Sequence, residues 1–186
     1  VGTNSYDIKT SMSGMNPDRF YRLVENGFHH QYMFNCLQLN QGIHQGLPRF
    51  SDVAQLAGVS NTDWSWSPLF FDADNDGHQD LFVSNGIKRD FRNNDFLKYK
   101  QKRFDSFFGK YKENTRENKL RARQLTDELI NRMPERPKSN FLFRNSGNLK
   151  FEKVDWLGTE ENVSNGAIYA DLDLDGDLDL VLNTMD

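Results

Sequence analysis

The sequence predicts a mainly β chain: two four-stranded propeller-type blades, a fragment of a β-propeller, with an inserted α-helical hairpin. Three observations carry this expectation. An acidic loop of pattern D-x-D-x-D-G-x-x-D occurs twice, at 72–80 and 171–179. Short apolar runs bounded by turn residues flank both copies and read as buried strands. Between the copies lies a segment of opposite charge whose apolar residues follow a helical period.

Residues 1–30 form an N-terminal segment with a short helix expected at Pro17–Asn26. Asn16 is its cap, Pro17 suits the first helical position, and Gly27 is the C-terminal stop. Residues 31–87 form blade-like repeat 1, with strands near Tyr32–Leu39, Arg49–Val53, Trp64–Phe71 and Asp80–Ser84. Residues 139–186 form blade-like repeat 2, with strands near Asn140–Arg144, Lys150–Val154, Gly166–Ala170 and Asp179–Asn183. The repeats align residue by residue: Asn35-Cys36-Leu37 with Asn140-Phe141-Leu142, Phe50 and Val53 with Phe151 and Val154, Ser65 and Phe70 with Ser164 and Tyr169. Asn40-Gln41-Gly42 and Asn145-Ser146-Gly147 are turn chemistry for the first hairpin of each copy. Four strands per repeat of this length match a propeller blade, with the acidic loop joining strands three and four.

Residues 88–138 interrupt the repeat as a basic helical insertion. They hold 16 Lys/Arg against 8 Asp/Glu, a net of +8, whereas the rest of the chain carries −12. Leu97, Phe104, Phe107, Phe108 and Tyr111 fall at helical spacing, as do Ala122, Leu125, Leu129 and Met133. Asn94 or Asp95 caps the first helix, and Pro134 and Pro137 end the second.

Four carboxylates within nine residues repel one another unless a cation neutralises them. Oxygen-only donors at this density suit a hard divalent ion of high coordination number, so calcium is expected at two sites. Asp72, Asp74, Asp76 and Asp80 offer side-chain oxygens in the first loop, and His78 its backbone carbonyl. Asp171, Asp173, Asp175 and Asp179 do so in the second, with the carbonyl of Asp177. Gly77 and Gly176 sit where the chain turns sharply around the ion. An EF-hand needs a bidentate Glu at position twelve; Val83 and Leu182 stand there instead.

These residues resemble the FG-GAP/VCBS repeat family of calcium-loop β-propellers, and are most similar to bacterial ASPIC/UnbV-associated and cartilage acidic protein-like repeats. The resemblance rests on Asn35–Asn40, Asp63-Trp64-Ser65-Trp66-Ser67, Asp72–Asp80 and Asn140–Asp179. His29-His30-Gln31-Tyr32-Met33 also looks like surface-exported members. It implies a seven-bladed ring, calcium in the blades, export to the cell surface, periplasm or exterior, and a binding role. The Phe-Gly and Gly-Ala-Pro motifs behind the family name are mostly missing, with Gly166-Ala167 remaining of the second.

No run of eighteen apolar residues exists, so no membrane span is expected in this chain. The opening at Val1 reads as a mature or excised piece, and Cys36 is the one cysteine. Trp64 and Trp66 share a strand face, where packing outweighs sugar stacking. The four His have no metal-ligand spacing. The expected function is non-catalytic protein or glycan recognition. The alternatives are a polysaccharide-active propeller enzyme or RNA binding through the basic insertion, whose helical aromatic period disfavours nucleic acid. Blade faces left without neighbours point to self-association.

Overall fold

The computed structural model describes residues 17–30, 34–158 and 160–185. Its elements are α1 (Pro17–Glu25), β1 (Gln38–His44), β2 (Leu47–Asp52), β3 (Ser65–Phe71), β4 (Asp80–Asn85), α2 (Asn94–Lys110), α3 (Arg116–Arg132), β5 (Phe141–Asn145), β6 (Phe151–Val154), β7 (Ser164–Ala170) and β8 (Asp179–Thr184). Every strand pairing is antiparallel. Contacts divide the chain into two units: the strands in one, Lys88–Arg136 in the other.

The strands do not make two complete four-stranded sheets. They form one four-stranded sheet in the order β3-β4-β5-β6 and two hairpins, β1-β2 and β7-β8. The complete sheet thus takes its first two strands from repeat 1 and its last two from repeat 2. The repeat boundaries at 31–87 and 139–186 are half a sheet out of phase with hydrogen bonding. Repetition sets the period of such a pattern but not its phase. No closed ring of sheets forms among the described residues.

β4 is the buried centre of the unit, with all six residues inaccessible. Its side chains alternate between two cores, as the pleat requires. Leu81 and Val83 join Phe143, Ala54, Ala57 and Val59, with Leu37 packed alongside. Phe82 joins Phe71 and Leu142 on the opposite face, covered by Ala167, Leu178, Leu180 and Leu182. Leu37 and the turn after the first hairpin therefore cover one face of the central sheet, while the β1-β2 strands themselves stay exposed; β7-β8 covers the other face. Phe71 and Tyr169 stack across that second face at 5.5 Å.

A buried polar seam closes one end of the sheet. The N–H of Asn85 donates to Asn140 Oδ1 at 2.8 Å, Asn140 Nδ2 to Ser164 Oγ at 3.2 Å, and Ser164 Oγ to Asn162 Oδ1 at 2.6 Å. Asn35 holds the matching position in repeat 1, donating to the carbonyl of Val59 at 3.1 Å. Hydrogen-bonding these groups offsets the cost of burying them.

The first hairpin turns later than its sequence suggests. Gln45-Gly46 makes the two-residue turn, both at positive φ, and pairs His44 with Leu47. Asn40-Gln41-Gly42 lies within β1, where the register shifts. Asn40 Oδ1 accepts the Gly42 N–H at 2.8 Å there, as Asn145 Oδ1 accepts that of Gly147 at 3.0 Å.

The insertion is a helical pair, as its period predicts. Asn93, rather than Asn94 or Asp95, caps α2 by accepting from the N–H groups of Asp95 and Phe96, and Thr115 caps α3. Phe96, Leu125 and Leu129 form its core with Tyr99, Phe104, Phe107 and Met133. Leu97 and Phe108 lie outside it; Phe96 fills the inward position. α1 ends at Gly27, at φ 81°, whose N–H reaches the carbonyl of Val24 while that of Phe28 reaches Leu23. Its expected cap, Asn16, lies outside the described residues, as do Gln31-Tyr32-Met33. No helix among the described residues is long and apolar enough to cross a membrane.

Candidate metal centre

Each acidic loop links the two strands of a hairpin: β3 to β4, and β7 to β8. The two loops adopt one conformation. The N–H of the sixth-position glycine donates to the first aspartate, Gly77 to Asp72 Oδ2 at 2.9 Å and Gly176 to Asp171 Oδ2 at 3.1 Å. The second-position N–H donates to the ninth-position aspartate, Ala73 to Asp80 Oδ2 and Leu172 to Asp179 Oδ2, both at 2.9 Å. The seventh-position N–H donates to the fifth-position carboxylate, His78 to Asp76 Oδ1 and Asp177 to Asp175 Oδ1, both at 2.9 Å. Positive φ recurs at the fourth position, Asn75 and Leu174, and at the glycines. A leucine in the left-handed region is disfavoured, so the loop geometry overrides its preference.

This winding brings Asp72, Asp74 and Asp80 together, and likewise Asp171, Asp173 and Asp179. Within each set one carboxylate oxygen per residue lies within 4.8 Å of the others. Among the described residues these are the groups of three or more His, Cys, Asp or Glu able to hold one ion. Asp76 and Asp175 stand outside these triplets, occupied by the N–H groups of His78 and Asp177. In the second loop Asp171 Oδ1 is buried and has no hydrogen-bond partner. A buried carboxylate oxygen without a donor is costly, and a cation is the natural complement.

The loops differ in their surroundings. Arg144, on β5, reaches the first: Nε lies 2.7 Å from Asp74 Oδ2 and Nη2 3.2 Å from Asp76 Oδ2. The hydrogen bond from His78 first, and Arg144 beside it, hold the Asp76 carboxyl below the usual range. Asp80 is fully buried, and its Oδ1 accepts the Asn145 N–H at 2.7 Å. Asn145 Nδ2 donates to the carbonyl of Gln79 at 3.0 Å. Asp179, the counterpart of Asp80, is exposed. The loops meet where Asn75 Nδ2 donates to Asp177 Oδ1 at 2.6 Å.

Sequence reasoning missed Arg144 and Asn145. They lie more than sixty residues from the first loop, and only β4–β5 pairing brings them to it. The other candidates fall elsewhere. Trp64 and Trp66 pack at 6.4 Å in a tilted pair, and the Trp66 indole N–H donates to the carbonyl of Gly86 at 2.5 Å. The Cys36 thiol is hydrogen-bonded to Asp52, which raises its pKa, the opposite of an activated nucleophile. Comparison with protein-family models, curated proteins and solved structures finds no match to this chain.

Proposed function

We propose that this chain is a calcium-stabilised segment of a β-propeller, in the manner of FG-GAP/VCBS repeats, serving protein or glycan recognition in an exported protein. The observation that carries the reading is the shared conformation of the two acidic loops, each converging three aspartate oxygens. Asp72, Asp74 and Asp80 would hold one ion, and Asp171, Asp173 and Asp179 the other. Calcium supplies charge neutralisation and a tie between the ends of two strands; it carries no reaction step. All-oxygen donor sets favour it over zinc or copper. Calcium in the extracellular range would saturate sites as weak as about 10⁻⁴–10⁻³ M.

Stacking supports the propeller architecture. The β7-β8 hairpin, equivalent to half of the central sheet, lies face to face on it. A non-catalytic role fits because charge neutralisation around an ion accounts for the clustered carboxylates. Isothermal calorimetry of the metal-free chain with calcium tests the reading. Two ions per chain are expected, falling to one in Asp74→Ala or Asp173→Ala. Absence of any binding heat, with thermal stability indifferent to calcium, would sink it.

A further inference from the structure

The helical pair holds a cleft that its own packing does not fill. α2 and α3 bury Phe96, Leu125 and Leu129 between them. Beside Leu125 the two helices flank a cavity of about 330 Å³. That volume falls at the lower end of the range for small-ligand pockets, about 300–1,000 Å³. Its lining comes from α2, from α3 and from Tyr111, the residue that ends α2, so the site is built within the helical pair by itself.

The lining is polar and net basic. Arg103 and Glu128 offset each other in a bidentate pair. Arg121 reaches the Tyr111 hydroxyl at 2.7 Å and the exposed carboxylate of Glu117 at 2.6 Å. Lys110 has no carboxylate: its Nζ lies 5.7 Å from the Tyr111 ring centroid and makes no ion pair among the described residues. The Ser106 hydroxyl and the Gln124 amide line the same cleft without a side-chain hydrogen bond among the described residues. An ammonium, a hydroxyl and an amide are thus left to solvent around one cavity. The segment that carries them holds 16 basic against 8 acidic residues. A cleft of one dominant sign focuses the field and concentrates anions.

The lining also selects the kind of anion. A nucleobase needs an open ring on which to stack. The Arg121 guanidinium lies over the Tyr111 ring, 4.8 Å from its centroid. Phe107 packs against Tyr111 at 5.1 Å and against the core of the pair. Both aromatic rings of the cleft are therefore engaged. Hydroxyl and amide groups both donate and accept, which suits sugar hydroxyls.

We infer that the cleft between α2 and α3 binds an acidic saccharide, its sulfate or carboxylate on Lys110 and Arg121 and its hydroxyls on Ser106 and Gln124. This gives the recognition role proposed above a ligand class. The cleft contains no acidic-loop residue and needs no calcium.

Calorimetry of the full chain with a fully sulfated disaccharide, in calcium and in EDTA alike, tests the assignment. One molecule per chain is expected, and the unsulfated disaccharide should give no heat. Lys110→Ala should weaken binding about fivefold or more through loss of a charge-assisted contact. Lys98→Ala removes the same charge from α2 outside the cleft and should change affinity by less than about twofold. Both lysines are exposed, so neither variant should alter the circular dichroism. Equal weakening by the two variants would mean diffuse charge attraction and overturn the site. No binding of the disaccharide in about 0.15 M salt would overturn it as well. Tighter binding of a single-stranded oligonucleotide or a glutamate peptide of equal charge would overturn the saccharide assignment. A failed calcium titration beside a positive saccharide titration would sink the calcium reading alone; the reverse result would sink this inference alone.

Discussion

Arg144 shows how one side chain makes two like loops unlike. It brings a positive charge to within 2.7 Å of Asp74. A divalent ion entering the first loop meets a guanidinium already paired with a carboxylate it needs. Arg144→Ala should therefore raise the calcium affinity of the first site and leave the second unchanged. A screened charge pair at this range is worth ~1–2 kcal/mol, on the order of tenfold in affinity. Calorimetry on the variant beside Asp173→Ala, which isolates the first site, checks the direction. Gly86 is a second residue-scale case. It sits at φ 109°, and a Cβ there would lie 2.8 Å from Val163 Cα and nearer still to the carbonyl oxygen of Asn162. Backbone cannot yield as a flexible side chain can. Gly86→Ala should cost about 3 kcal/mol, read as a shift in the urea midpoint.

At the scale of elements, the helical pair is a self-contained insertion in the loop between β4 and β5. Those strands are direct neighbours, with Val83 opposite Phe141, and Asn85 is bonded to Ser139 and Asn140. Replacing residues 88–136 with a short Gly/Ser bridge should remove the helical ellipticity while β structure and calcium binding persist. Loss of cation binding in a soluble product would count against this. The same hairpin carries an acid-sensitive link. Arg103 donates from Nε and Nη2 to Glu128, and the Tyr99 hydroxyl donates to it as well. Arg103 first, then Tyr99, holds the Glu128 carboxyl down to about 2, against an ordinary 4.5. A folded value below the unfolded one stabilises above the unfolded value and is lost as pH falls through the folded one. The hairpin should hold its strength above pH 4.5 and loosen progressively as pH falls toward 2. Glu128→Gln should flatten that dependence, followed by amide exchange along α2 and α3 between pH 5 and pH 2.

For the whole molecule, the calcium reading ties the stability of the strand unit to cations in the acidic loops. Without them, each loop leaves three carboxylates within 4.8 Å. An ion at a hundredfold its dissociation constant adds ~2.7 kcal/mol to the folded state. For a chain of this size ~1 kcal/mol moves the melting temperature by about 2–4 °C. Chelation should therefore lower the melting temperature by roughly 5–10 °C for each site emptied. Differential scanning calorimetry in calcium and in EDTA checks it, and equal melting temperatures would make the loops decorative.

Much of this was legible in the chain itself because the signals are local. The acidic loops declared themselves through spacing, the strands through short apolar runs, and the helical pair through its period and charge. Loop conformation is likewise local, for Asp72 and Gly77 are five residues apart and meet through a single turn. Strand partnership is not local. Whether β4 pairs within its own repeat or across 49 inserted residues with β5 depends on which edges come together, and both pairings have the same sequence period. Tertiary structure alone therefore decided the phase of the sheet, the arrival of Arg144 at Asp74, and the burial of Asp80 beneath Asn145.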